Sequence, residues 1–314
     1  MPIDPHIAVF LDALTRSGEN KLHEGTPEEA RASYRAMAAS LQPRGAMVPV
    51  RCVENIAVAG ASGELHARVY RPDGNGPFPT VTFFHGGGWV IGDLDTHDNV
   101  CREICRGSRV VVVSVAYRLA PEHPFPAAVD DAVAATRWVV DHASELGGNS
   151  LVAVAGDSAG GNLSAVVAQA LHADGVELAG QFLIYPATDL PGIRHPSWKQ
   201  NATGYLLDRP LVEWFIHHYV GGKRNLKNSR ITPIHASNFS GLCPAIIVTA
   251  QYDPLRDVGL EYGEALRAAR VPVHIEQCQS LIHGFFEMGQ LSPGAQSAIE
   301  RCCKRFGELI RGVQ

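Results

Sequence analysis

The feature that most constrains this chain is a rhythm of short apolar, β-branched runs separated by stretches of helical periodicity. The runs are NIAVAG (55–60), LHARVY (65–70), TVTFF (80–84), VVVVSV (110–115), LVAVA (151–155), QFLIY (181–185), AIIVTA (245–250) and VHIEQ (273–277). Several are apolar without interruption, the pattern of a strand covered by helices on both faces. The intervals supply such helices, among them AAVDDAVAATRWVVDHA from Ala127 and GLEYGEALRAA from Gly259. Strand and helix in alternation specify a parallel sheet with right-handed crossovers, and the first two runs suit an antiparallel opening pair. The expected fold is α/β: an eight-stranded, mostly parallel sheet with helices on both faces.

Two stretches fall outside the rhythm. Residues 1–45 read as two helices ahead of any strand, and 188–229 is too long for one crossover and contains the amphipathic WKQNATGYLLDRPLVEWFIHHYV. Both are expected to be cap elements over the C-terminal edge of the sheet, where α/β proteins build their binding crevice. The 314 residues are read as one domain with this cap. No internal repeat or low-complexity tract interrupts it.

Composition narrows the function classes. With 46% hydrophobic and 19% charged residues and a net charge of −5, the chain suits a globular protein and offers no basic patch for nucleic acid or an anionic membrane. No apolar run approaches the roughly 18 residues of a membrane helix. The first twenty residues lack a basic stretch and carry Asp4 and Asp12, unlike a signal peptide, so the expected compartment is the cytoplasm. The seven cysteines are an odd, scattered set, expected to be reduced. Cys101 and Cys105 lie one helical turn apart, but no second pair with ligand spacing accompanies them, so no metal site is expected.

Chemistry concentrates in Gly156-Asp157-Ser158-Ala159-Gly160, a GxSxG between the strand LVAVA and the helical NLSAVVAQALHA. A serine in so sharp a strand-to-helix turn needs small neighbours, and the helix N-terminus beneath it favours developing negative charge. A serine hydroxyl is a poor nucleophile without a base and an oriented acid, which in this arrangement follow in the order Ser, acid, His. Asp253 follows the strand AIIVTA, and His283 alone of the 14 histidines sits in a loop beyond the last strand. Asp257 and Asp189 rival Asp253. Asp257 suits a helix cap better, and Asp189 would serve if the acid came from the preceding strand end. After TVTFF comes His85-Gly86-Gly87-Gly88-Trp89, a glycine loop able to present backbone N–H groups to an oxyanion. Gly86 and Gly87, with Ala159, are the expected donors. A phosphate loop is excluded, since GxGxxG would require glycine where Ile91 stands and Gly222-Lys223 is followed by Arg224.

Together HGGGW, YRLAPEHPFPAA (117–128), GDSAGGN (156–162), YPATDL (185–190), YDPLRD (252–257) and IHGF (282–285) resemble the hormone-sensitive lipase family of microbial carboxylesterases, in its GDSAG subfamily. The resemblance runs from about Leu65 onward. It implies an α/β-hydrolase fold, a triad of Ser158, Asp253 and His283, an oxyanion hole at Gly86, Gly87 and Ala159, and no cofactor. It also implies hydrolysis of small esters with short to medium acyl chains, and a homodimer through the edge of the last strand. One departure is Val258, where the family's DPLRDEG carries an acid. Two other functions fit the same constellation: a non-catalytic small-molecule receptor, disfavoured by the intact triad, and hydrolysis of an amide or lactone.

Overall fold

A computed structural model of the chain describes residues 1–18, 21–42, 47–190, 194–222 and 226–312. The expected eight strands form one sheet: β1 (Cys52–Gly60), β2 (Gly63–Arg71), β3 (Phe78–Phe84), β4 (Val111–Val115), β5 (Gly148–Asp157), β6 (Gly180–Ile184), β7 (Ala245–Tyr252) and β8 (Val273–Ile282). Their spatial order is β1-β2-β4-β3-β5-β6-β7-β8. β1 pairs antiparallel with β2, and β2 antiparallel with β4, while every later pairing is parallel.

The uninterrupted apolar runs are explained by what covers them. In β4, Val111, Val113 and Val115 join one hydrophobic cluster and Val112 the cluster on the opposite face; in β5, Val152 and Val154 face the first and Ala153 and Ala155 the second. Helices α4 (Ala127–His142) and α5 (Ala159–Ala173) pack on one side, and α3 (Asp98–Ser108) and α9 (Pro293–Ile310) on the other. Burying one valine contributes about 1.5 kcal/mol or more, so a strand buried on both faces gains twice along its length.

The sheet departs from its sequence outline at its last strand. β8 runs to Ile282, five residues past the expected VHIEQ, because a register shift after Ala250 lets Tyr252 pair with Ile282. Cys278-Gln279-Ser280 is therefore strand, and His283 directly follows its last residue, Ile282.

The helices outside the sheet rhythm are α1 (Pro5–Ser17), α2 (Pro27–Leu41), α6 (Pro196–Gln200) and α7 (Arg209–Val220). Thr26 starts α2 through a reciprocal capping box with Glu29, followed by Pro27 at the first helical position. Its buried residues Ala30, Tyr34, Ala38 and Leu41 fall at helical spacing and set the face that packs inward. Arg31 fixes α2 to the body by donating to the carbonyls of Val90 and Ala120 and to Glu122. Helix α7 starts at Asp208, whose carboxylate accepts from Leu211 N, and ends at Gly221 in the left-handed region. Part of 1–45 and of 188–229 lies outside the described residues.

Candidate active site

Ser158 ends β5 and precedes α5 with φ 53° and ψ −114°, a conformation a non-glycine residue holds only when its surroundings impose it. The imposing contacts are visible. Ser158 N donates to Ile184 O at 2.8 Å, tying the turn to β6. A side-chain carbon at Gly160 would lie 1.8 Å from Phe84 O, and one at Gly156 2.3 Å from Gly160 O, so the two flanking glycines are steric requirements.

The structure brings Ser158, His283 and Asp253 together. Ser158 Oγ lies 2.9 Å from His283 Nε2, and His283 Nδ1 lies 2.7 Å from Asp253 Oδ2. Asp253 is fully buried, with its other oxygen accepting from Leu255 N at 2.7 Å. Asn201 holds the loop from below, donating to the carbonyls of Asp253 and Gln251. Gly284, at φ 83°, turns the chain immediately after His283. Of the rival acids, Asp189 faces Arg194 and His195. Asp257 does not cap its helix α8 (Arg256–Ala268); its carboxylate accepts from Ser197 N at the start of α6 and from Arg256.

The glycine loop differs from expectation at one position. Gly86 N donates to Asp157 Oδ1 at 2.9 Å, so this amide is already engaged. Gly87 and Gly88 line the cleft beside Ser158 and Ala159, and the N–H groups of Gly87, Gly88 and Ala159 have no acceptor among the described residues. Spacing alone does not say which amide of this loop is left without an acceptor. Gly88 has φ 59°, and a side-chain carbon there would lie 2.1 Å from Phe215 Cγ, because α7 packs directly on the loop.

Two buried histidines support this loop in opposite charge states. Burial, reinforced by the charge of His97, lowers the His85 pKa to about 4, and its Nδ1 lies 2.7 Å from Gly86 O. For His97, burial opposes the charged form, but the Asp157 carboxylate 3.4 Å away overrides it and raises the pKa to about 9. Glu287 joins the cluster, with its carboxylate within 4.8 Å of His97 and Asp157; burial raises its pKa, and it accepts from Tyr34 of α2 at 2.8 Å. No sequence signal marks His97 among 14 histidines, and Asp157 read only as a spacer within GxSxG.

His97 gives a stability prediction. Its folded pKa, about 9, lies above the ordinary 6.5, so its contribution of about 3 kcal/mol is complete below pH 6.5 and is lost as pH rises through 9. His85 stays neutral across that window. Denaturant titration of the parent and His97→Gln is expected to show a stability gap that is largest at pH 6 and shrinks steadily to pH 10. A gap independent of pH would mean that His97 is uncharged in the fold.

A narrow cleft of about 90 Å³ lies above Ser158. Leu22, Met37 and Leu41 enter it from the N-terminal segment, Leu211, Phe215 and Ile216 from α7, and its walls are almost wholly apolar. A triad-like Ser–His–Asp contact on a strand-to-helix turn of a mostly parallel sheet defines an α/β hydrolase. Residues 81–287 match the alpha/beta hydrolase fold family. The chain is 45% identical over 251 residues to the carboxylic ester hydrolase LipN of Mycobacterium tuberculosis, covering 77% of this chain and 66% of LipN. It is 44% identical to the esterase LipI of the same organism, over 86% of each chain. The hyperthermophilic esterase of Pyrobaculum calidifontis superposes with a TM-score of 0.92 at 36% identity, covering 99% of both chains. The chain belongs to the α/β-hydrolase fold family, in its hormone-sensitive-lipase-like branch.

Proposed function

We propose that Ser158 is the nucleophile, His283 the general base and Asp253 the orienting acid of a carboxylic ester hydrolase, with Gly87, Gly88 and Ala159 as the oxyanion donors. The observation that carries this reading is the continuous contact from Ser158 Oγ through the imidazole to Asp253, at 2.9 and 2.7 Å. The protein is a carboxylesterase. Ser158 Oγ gives its proton to His283 Nε2 and attacks the ester carbonyl, forming a tetrahedral oxyanion. The three amides then stabilise charge that exists only in the transition state and intermediate, each by about 3 kcal/mol. His283 protonates the departing alcohol, and water repeats the attack on the acyl-enzyme. Asp253 holds Nδ1–H in place, so that Nε2 is free to act as base, and stabilises the imidazolium. A receptor that only binds would have no use for a strained serine aligned on a base.

Substrates are small esters, and the acyl chain is proposed to be short to medium. We place it in the apolar cleft closed by α2 and α7, which we propose are the cap. Each methylene that fits contributes about 0.8 kcal/mol, close to fourfold in kcat/KM. Nitrophenyl esters of two to sixteen acyl carbons are expected to rise over the first few and then decline. Phe215→Ala removes the ring that packs over Gly88 and is expected to move the optimum to longer chains. An unchanged profile would place the acyl chain elsewhere.

Two further proposals concern the protein's setting. All seven cysteines are free thiols, which supports a reducing compartment such as the cytoplasm. No helix among the described residues is long and apolar enough to cross a membrane. Among the described residues β8 is the last strand of the sheet and pairs with a strand on one side only, which supports a homodimer built along its edge.

A further inference from the structure

We propose that Asp157 and His97 form a positioning pair that fixes the oxyanion loop against the nucleophile turn. This rests on the reading of Ser158 as nucleophile and of the Gly87, Gly88 and Ala159 amides as oxyanion donors.

The hydrogen bonds constrain which ring nitrogen of His97 faces Asp157. Thr96 Oγ1 lies 3.0 Å from Asp93 O and accepts from Asp93 N at 2.9 Å; with its one proton given to Asp93 O, its 2.9 Å contact with His97 Nδ1 has Nδ1 as the donor. That leaves Nε2 facing Asp157 Oδ1 at 3.4 Å and Gly86 N at 3.3 Å. When Nε2 is protonated it cannot accept from Gly86, and both N–H groups converge on Asp157 Oδ1. A neutral His97 would instead compete for the Gly86 amide. The charged pair thus selects one direction for that N–H.

The direction matters because of where Gly86 sits. Its N–H is held by Asp157, the residue immediately before Ser158, and its C=O by His85. The Gly86 C=O lies in the same rigid peptide plane as the N–H of Gly87. Fixing Gly86 at both ends therefore fixes the aim of the first oxyanion donor relative to Ser158 Oγ. Space is short as well: a side-chain carbon at Gly86 would lie 2.3 Å from Asp157 Oδ2. Asp157, His97 and His85 are all buried, and Asp157 Oδ1 at 2.9 Å is nearer to Gly86 N than its other partner, His97 Nε2 at 3.3 Å.

A pair that aims donors at an oxyanion affects the transition state and not the bound ester. The test compares Asp157→Ala, Asp157→Asn and His97→Gln with the parent, on nitrophenyl butyrate and on a trifluoromethyl ketone that adds reversibly to the serine as a tetrahedral oxyanion. Asp157→Ala is expected to lower kcat about 30-fold with KM within about twofold, and to weaken ketone binding by the same factor as kcat. Asp157→Asn keeps an acceptor for Gly86 and is expected to recover to within about fivefold of the parent. His97→Gln is expected to lose about tenfold in kcat and ketone affinity together, and decides the matter if Asp157→Ala does not fold. Folded variants whose kcat stays within about threefold of the parent, or whose kcat falls while ketone affinity holds, would overturn the proposal. A parent enzyme without esterase activity would instead overturn the underlying assignment of the nucleophile.

Discussion

Ser158→Ala is expected to fold like the parent and to lose hydrolysis of nitrophenyl butyrate by about 10⁴-fold or more. The size of the loss follows from covalent chemistry: without Oγ there is no acyl-enzyme, and His283 can at most direct a water across the vacated space. The fold should survive, because the strained turn is imposed by the Ser158 N to Ile184 O bond and by Gly156 and Gly160, and not by the hydroxyl. Melting temperature within a few degrees of the parent and steady-state rates on the purified variant check both halves. Retention of more than a few per cent of the rate would remove Ser158 from the mechanism.

Gly160→Ala is expected to damage the site nearly as much without touching any reacting atom. Its added carbon would sit 1.8 Å from Phe84 O and 2.7 Å from His85 O, backbone atoms that cannot rotate away. The collision falls between the nucleophile turn and the strand that leads into the glycine loop, so relief must separate Ser158 from its oxyanion donors. A misplacement of about 1 Å costs on the order of 100-fold in rate, and the overpacking costs about 3 kcal/mol of stability. Circular dichroism melts together with kcat on nitrophenyl butyrate measure the two effects. An alanine accepted with parental rate and stability would show that the turn is looser than its geometry implies.

Much of this fold was legible in the sequence because burial on both sheet faces leaves an unmistakable mark, the uninterrupted apolar run. The mark fails at the sheet edge. β8 continues through Cys278-Gln279-Ser280, and its extension depends on a bulge in β8 itself, where two extra residues around Ser280, at φ 67°, separate the pairs Ala250–Cys278 and Tyr252–Ile282 and no local pattern encodes it. The three residues of the proposed triad were legible because each follows a strand end in a fixed order, and the structure brings all three into hydrogen-bond contact.

What was not legible depends on orientation. Gly86, Gly87 and Gly88 are chemically identical, and it is the Asp157 carboxylate, with His97 beside it, that engages the amide of the first. Asp257 illustrates the same limit. Local sequence makes it a helix cap, whereas a distant backbone amide at Ser197 claims its carboxylate. His97 carried no signal at all, since its charge arises from a partner 60 positions later in the chain.

The central claim, an acyl-enzyme on Ser158, is tested most directly by intact-protein and peptide mass spectrometry after reaction with a fluorophosphonate. The expected result is one phosphonyl adduct per chain, on the peptide containing Gly156-Asp157-Ser158, with esterase activity lost in proportion and no adduct on Ser158→Ala. Labelling of another residue, or full activity surviving complete labelling, would contradict it.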